Sequence, residues 1–200
     1  MLRSRALNLG YLVLLFWLTG CTSTGGVLLP DIKDWESRKS ILINTDEWEF
    51  AGRIGVSAGD EGFNGKLWWR QDGTVFRARI SGPLGVGTIF INGDRHELTL
   101  TDQDGVVTEL VDAEIELRER FGWTIPVTSL RYWALGIPDP SSDSKARFND
   151  AGLLSELAQR NWQVAIAEYT DGGGQSMPRR LTALNEEIKL RLVIDSWTFR

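Results

Sequence analysis

The sequence predicts a mainly β fold with a smaller helical part (α+β): one curved antiparallel sheet of about 10–11 strands, with about three helices lodged against its apolar face. Three observations carry this. From Trp48 onward apolar residues alternate with polar ones over most of the chain, which is the period of strands that bury one face. Turn signals such as Asp72-Gly73 and either Asn92-Gly93 or Gly93-Asp94 follow one another closely, and short turns join antiparallel neighbours. Three further segments repeat their apolar residues at helical spacing between caps and prolines.

The chain opens differently. Arg3 and Arg5 precede a mostly apolar stretch, Leu7 to Trp17, which is short for a bilayer span, and Leu18-Thr19-Gly20-Cys21 then closes it with small residues before the one cysteine. This is the pattern of a secretory signal ending in a lipobox, so residues 1–20 are expected to be removed and Cys21 to become a lipidated first residue, as in the bacterial lipoproteins this start resembles. Acylation also consumes the thiol, so no disulfide is expected despite an oxidising compartment. Thr22 is not the Asp that retains lipoproteins in the inner membrane of enteric bacteria, and delivery to the outer membrane is expected.

Residues 21–30, rich in small and polar side chains, read as a lipidated N-terminus and flexible tether, and residues 31–200 as a single domain. Loss of the signal takes two arginines and no acid from 22 basic and 27 acidic side chains. The mature chain is therefore acidic, a poor match for nucleic acid and for anionic membrane surfaces. It keeps eight of the nine tryptophans, Trp17 being the one lost, and such large rings pack cores, line pockets or sit at membrane boundaries.

Ile32, Trp35 and Ile41 or Leu42 recur at helical spacing and predict a short first helix. Trp48, Phe50, Gly52, Ile54 and Val56 then share one face of a strand; Phe63, Gly65, Leu67 and Trp69 form the face of the next; Phe76, Ala78 and Ile80 alternate with Val75, Arg77 and Arg79. Ser81-Gly82-Pro83-Leu84-Gly85 interrupts before strands at Thr88 to Ile91 and Glu97 to Thr101. A second helix is predicted from Asp112 as N-cap to Gly122, its Glu114–Arg118 and Glu116–Arg120 pairs spaced for surface support. A third runs from Thr128 to Leu135, with Leu130, Trp133 and Ala134 on one face and Pro126, Gly136 and Pro138 bounding it. Pro138 to Ala151 is polar and reads as a loop. Strands resume at Leu153 to Leu157, Trp162 to Tyr169, Arg180 to Leu184, Ile188 to Ile194 and Trp197 to Phe199, with Asp171-Gly172-Gly173-Gly174-Gln175 as a hairpin tip.

Catalytic and metal-binding groups are sparse. His96 has no companion His or Cys at ligand spacing. Gly62-Phe63-Asn64-Gly65-Lys66-Leu67 lacks the spacing and the hydroxyl of a phosphate loop. A carboxylate pair drawn from residues such as Asp102 and Asp104 is the one catalytic arrangement left open. No catalytic residue, metal or cofactor is expected, and the chain is not read as an enzyme.

The lipobox, Gly52-Arg53-Ile54-Gly55-Val56, Gly82-Pro83-Leu84-Gly85, Gly122 to Val127, Leu130 to Pro138 and the closing Lys189 to Trp197 occur in an order and spacing that resemble the outer-membrane lipoprotein receptor family LolB, over essentially the whole mature chain. The resemblance implies an open half-barrel covered by helices, with an apolar cavity between. It also implies a monomeric receptor, lipid-anchored on the periplasmic face of the outer membrane, that takes triacylated lipoproteins from the soluble carrier LolA and places them in the inner leaflet without nucleotide hydrolysis. Pro83, Leu84 and Gly85 would form a membrane-insertion loop whose leucine protrudes. Candidate cavity residues, on the inward faces read above, are Phe50, Ile54, Leu67, Trp69, Phe76, Ile80, Leu130, Trp133, Leu190 and Leu192. The alternatives are a structural or assembly lipoprotein with a filled core and a periplasmic hydrolase.

Overall fold

The computed structural model describes residues 26–32, 34–82, 87–94, 96–111, 115–116 and 126–200. Helix α1 (Trp35–Ile43) leads into β1 (Glu47–Ala58), β2 (Glu61–Asp72), β3 (Val75–Ser81), β4 (Ile89–Gly93), β5 (Leu98–Thr101) and β6 (Val107–Leu110). Helix α2 (Val127–Leu135) precedes β7 (Ser144–Phe148), β8 (Leu154–Gln159), β9 (Trp162–Gly172), β10 (Gln175–Leu184) and β11 (Ile188–Phe199). The predicted helix from Asp112 to Gly122 lies outside the described residues, apart from residues 115–116, which are helical.

All eleven strands form one antiparallel sheet in the order β6-β5-β4-β3-β2-β1-β11-β10-β9-β8-β7. Two meanders, β1–β6 and β7–β11, meet where the first and last strands pair, and the sheet ends in two free edges. This topology dictates where helix must go. Strands β6 and β7 lie at opposite edges, so the chain between them has to cross the full width of the sheet, and α2 lies on that crossing. Its buried Leu130, Trp133, Ala134 and Leu135 join the core on the inner face.

The seam between β1 and β11 explains a shift of phase along β11. Ile188, Leu190, Leu192 and Ile194 are buried, yet the next core residue is Phe199. Gly52 pairs with Ile194 and Ala51 with Ser196, so Asp195 is an extra residue, a bulge that moves the inward positions from even to odd. The sequence pattern divides here into two strands; the ladder runs through. Gly52 is the residue the bulge requires, because a Cβ there would overlap the Val193 carbonyl oxygen.

The inner face of β1–β3 carries a slab of near-parallel rings. Trp48 and Trp69 lie 6.5 Å apart at 8°, Phe50 and Trp69 6.3 Å apart at 8°, and Trp69 and Phe76 4.6 Å apart at 10°. Each fully buried side chain of this size contributes about 1.5–3 kcal/mol through loss of apolar surface to water, so the slab anchors this half of the sheet.

Two strands were not legible in the sequence. Strand β7 falls in the polar stretch read as a loop, and β6 follows the Asp102–Gly105 turn without a predicted strand. Both are edge strands, paired on one side only and largely exposed, so neither needs the apolar alternation that marks a strand. Asp102 itself closes the β5–β6 turn, its Oδ1 accepting from the amides of Asp104 and Val106, both at 2.9 Å. The hairpin tip at Gly173-Gly174 is covered by the chain start: the Val27 amide donates to Phe199 O and the Leu29 amide to Gly173 O, both at 2.8 Å, and Gln175 Nε2 donates to Pro30 O at 2.9 Å.

Candidate apolar cavity

The two halves of the inner face differ. Under β8–β11 it is packed solid: Trp133 and Leu190 are fully buried, and α2 lies against it. Toward β3 and β5 a cavity of about 810 Å³ opens between Phe76 and Leu98 of the sheet, Val127 and Tyr132 of α2, and Val111 and Ile115. Its mouth is polar. Asp94, His96 and Glu97 border it from the β4–β5 turn, and Arg131, Arg160 and the Asp139–Ser141 turn from the other side. His96 is exposed there, its amide donating to Asp94 Oδ1 at 2.7 Å.

A buried polar network fixes the position of α2. Trp133 Nε1 donates to Gln159 Oε1 at 3.0 Å, which also accepts the Asp139 amide at 2.9 Å, while Gln159 Nε2 donates to the Asp139 and Ser142 carbonyls at 2.7 and 2.9 Å. Asp139, 2% exposed, accepts from Ser129 Oγ and from Ser141 N and Oγ, with Arg160 Nη1 at 3.8 Å. Satisfied buried networks of this kind specify one arrangement. They tie α2 and the turn after it to the end of β8, beside the cavity that Asp139 also lines.

A second tie joins both helices to the sheet. Arg38 of α1 is 2% exposed, and its Nη2 donates to Ser176 O at 2.7 Å and to Leu135 O, at the end of α2, at 3.4 Å. The guanidinium lies 5.9 Å from the Tyr169 ring centroid, and none of the described carboxylates pairs with it. Burial lowers its pKa from the ordinary arginine value, with Tyr169 acting in the opposite sense. Tyr169 is pushed above the ordinary tyrosine value, again chiefly by burial, and its hydroxyl donates to Leu154 O at 2.7 Å.

Of the sequence-derived cavity candidates, Phe76 lines the opening. Phe50, Ile54, Leu67, Trp69, Leu130, Trp133, Leu190 and Leu192 lie in the packed core, and Ile80 packs partly buried against it. All are on the inner side, as the alternation implies; which of them border free space depends on where α2 is held. Cys21, Pro83, Leu84 and Gly85 lie outside the described residues. The segments flanking that loop, ending at Gly82 and resuming at Gly87, are at the end of the sheet opposite the docked chain start. Arg38 was missed although a signal exists: Trp35, Arg38 and Leu42 share an i, i+3, i+7 stripe, so the arginine occupies an inward position. The polar mouth carries no sequence signal, since its residues come from four separate stretches of chain, 94–97, 131, 139–141 and 160.

Comparison with known proteins agrees with this architecture. Residues 46–197 match the family model described as outer membrane lipoprotein LolB. The outer-membrane lipoprotein LolB of Chromohalobacter salexigens is 30% identical over 190 residues, covering 93% of this chain and 87% of that protein. Its counterpart in Stutzerimonas stutzeri is 32% identical over 186 residues, covering 90% and 89%. Among solved structures, a LolA superfamily protein from Nitrosomonas europaea superposes with a TM-score of 0.52 at 8% identity, covering 84% of this chain and 94% of that one. A DUF1329 family protein from Desulfovibrio piger gives 0.53 at 7%, covering 81% and 89%. At such identities the likeness is one of fold. With the family model spanning three quarters of the sequence and relatives at 30% identity or above along nearly its full length, the chain belongs to the outer-membrane lipoprotein LolB family.

Proposed function

We propose that this chain is an outer-membrane lipoprotein receptor, anchored through Cys21, which accepts the acyl chains of client lipoproteins from the soluble periplasmic carrier LolA and releases them into the inner leaflet. The observation that carries this reading is a cavity of about 810 Å³ into which Phe76 and Leu98 of the sheet and Val111, Ile115 and Val127 bring apolar surface among polar neighbours. An acyl chain gains about 0.8 kcal/mol per buried methylene, roughly 10 kcal/mol for a chain of ordinary length, so it does not cross water unaided but passes between apolar cavities. Transfer then runs down a gradient of affinity and needs no nucleotide. A cavity with an apolar wall and a polar mouth suits a ligand with a greasy tail and a peptide-linked head. Leu84, flanked by Pro83 and Gly85, is the residue proposed to engage the bilayer at release.

Two measurements test this. Unacylated protein should bind a fluorescent fatty acid and release it to an added acylated client; absence of binding would favour the filled-core structural alternative. In purified outer membranes, Leu84→Glu should accept client from the carrier and fail to deliver it. Unchanged delivery would remove Leu84 from the mechanism.

A further inference from the structure

The outer face of the sheet, which takes no part in the cavity, is charged against the average of the chain. The sequence carries 22 basic and 27 acidic side chains, yet Lys66, Arg70, Arg77, Arg79, Lys189 and Arg191 all project from the outer side of β2, β3 and β11. None of the six makes an ion pair or side-chain hydrogen bond with a described residue. Of the acids sharing this face near the seam, Asp195 pairs with Arg53 at 3.0 Å and Glu49 with Arg200 at 3.0 Å, while Glu47 and Asp72 stand opposite each other at the Phe199 end of the sheet. Glu109 stands at the far edge on β6.

The register sharpens the point. Arg70 is directly opposite Arg77, and Lys66 directly opposite Arg53, and like charges facing each other across a ladder destabilise the pairing. Carboxylates stand beside one member of each pair, Glu49 opposite Arg70 and Asp195 bonded to Arg53, which leaves Arg77 and Lys66 without one across the ladder. Aromatic side chains interleave with the cations: Trp68 is opposite Arg79, which is opposite Phe90, itself 43% exposed. Cations with Trp and Phe at their flanks are the composition of surfaces that rest on anionic lipid headgroups.

The position of the chain start selects the partner. Gly26 contacts the Phe199 end of β11, five residues after Cys21, and five extended residues reach at most about 18 Å. The 12 residues of β1 span about 40 Å at ordinary strand rise. A membrane holding the acylated Cys21 is therefore never further from this face than a fraction of the sheet's own length, and its effective concentration exceeds that of any soluble partner. We infer that the outer face of β11, β1, β2 and β3 docks on the anionic headgroups of the bilayer that carries the lipid anchor, so that the sheet lies along the membrane with its cavity side turned away. This rests on reading Cys21 as the anchor, but the surface itself can be tested without it.

The test is co-flotation of the chain from residue 21 carrying Cys21→Ser, which cannot be acylated, with vesicles of neutral phosphatidylcholine alone or with about a third phosphatidylglycerol. Binding is expected to the anionic vesicles, to weaken with salt, and to fall about a hundredfold in Arg70→Ser/Arg77→Ser/Arg79→Ser, each cation near such a surface being worth about fivefold. A control that removes three cations off these strands, Lys39→Ser on α1 and Lys145→Ser/Arg147→Ser on the far edge strand β7, should retain binding. Equal binding to both vesicles, survival of binding in the first triple variant, or equal loss in the control each overturns the inference. Because neither client nor carrier is present, such a failure leaves the receptor reading untouched.

Discussion

Arg38 offers the sharpest test of how the helix layer is held over the sheet. Its side chain spans from α1 to the end of α2 and to β10, and substitution to methionine keeps most of the stem volume while deleting the donors. The Ser176 carbonyl then loses a charge-assisted bond of 2.7 Å, an interaction worth about 1.5–3 kcal/mol. The Leu135 contact, at 3.4 Å, is at the limit of a hydrogen bond and adds little. Tyr169, at 5.9 Å, is at the outer range of a cation–π contact. Against these losses, methionine recovers part of the cost of desolvating a cation that no described carboxylate pairs with, less than the broken bonds and the carbonyls left unpaired are worth. The balance is a destabilisation of about 2 kcal/mol for Arg38→Met, and about 4 kcal/mol for Arg38→Ala, which also leaves a cavity. Urea denaturation measures both, with an unchanged m-value showing that the compared states are the same. If Arg38→Met is as stable as the parent, the guanidinium bonds hold nothing and the helices are positioned by packing alone.

Other perturbations report on other parts. Tyr169→Phe should cost about 1 kcal/mol through the lost bond to Leu154 O. The raised folded-state pKa of Tyr169 means the protonated hydroxyl contributes fully below the unfolded tyrosine value near 10 and that this contribution is lost as pH rises beyond it; Tyr169→Phe should therefore flatten the alkaline limb of stability against pH, and an unchanged limb would show that another group causes it. Gly52→Ala should destabilise by about 3 kcal/mol or more, because its Cβ meets the Val193 backbone, whereas Gly55→Ala meets the movable Asn64 amide and should cost under about 1 kcal/mol; similar thermal midpoints for the two would contradict the bulge assignment. Val127→Trp places an indole in the cavity from its α2 wall and should weaken fatty-acid binding about tenfold or more with little loss of stability. Undiminished affinity would move the ligand site elsewhere.

The legible part of this molecule is the part governed by local periodicity. Trp48 to Val56, Phe76 to Ile80 and Ile188 to Ile194 alternate because each residue sits in a ladder with one face against the core, and the observed burial follows that alternation. Helix α2 was legible for a similar reason: Pro126 and Gly136 mark its ends, and Gly136 adopts the left-handed φ of 76° that closes it. Edge strands β6 and β7 escaped because they are short and carry one fully buried residue between them, Leu110, too little to make a pattern.

What the sequence by itself determined is which side chains point inward, since strand and helix periods are set by bonds between near neighbours. Only the tertiary structure decided which inward residues meet empty space. That depends on where α2 is held, and it is tied in place by Asp139, Gln159 and Arg38 acting across long stretches of chain. Of the ten residues predicted to line a cavity, Phe76 faces the opening; the others were placed on the correct face, but the volume beside them was settled by contacts that no local spacing encodes.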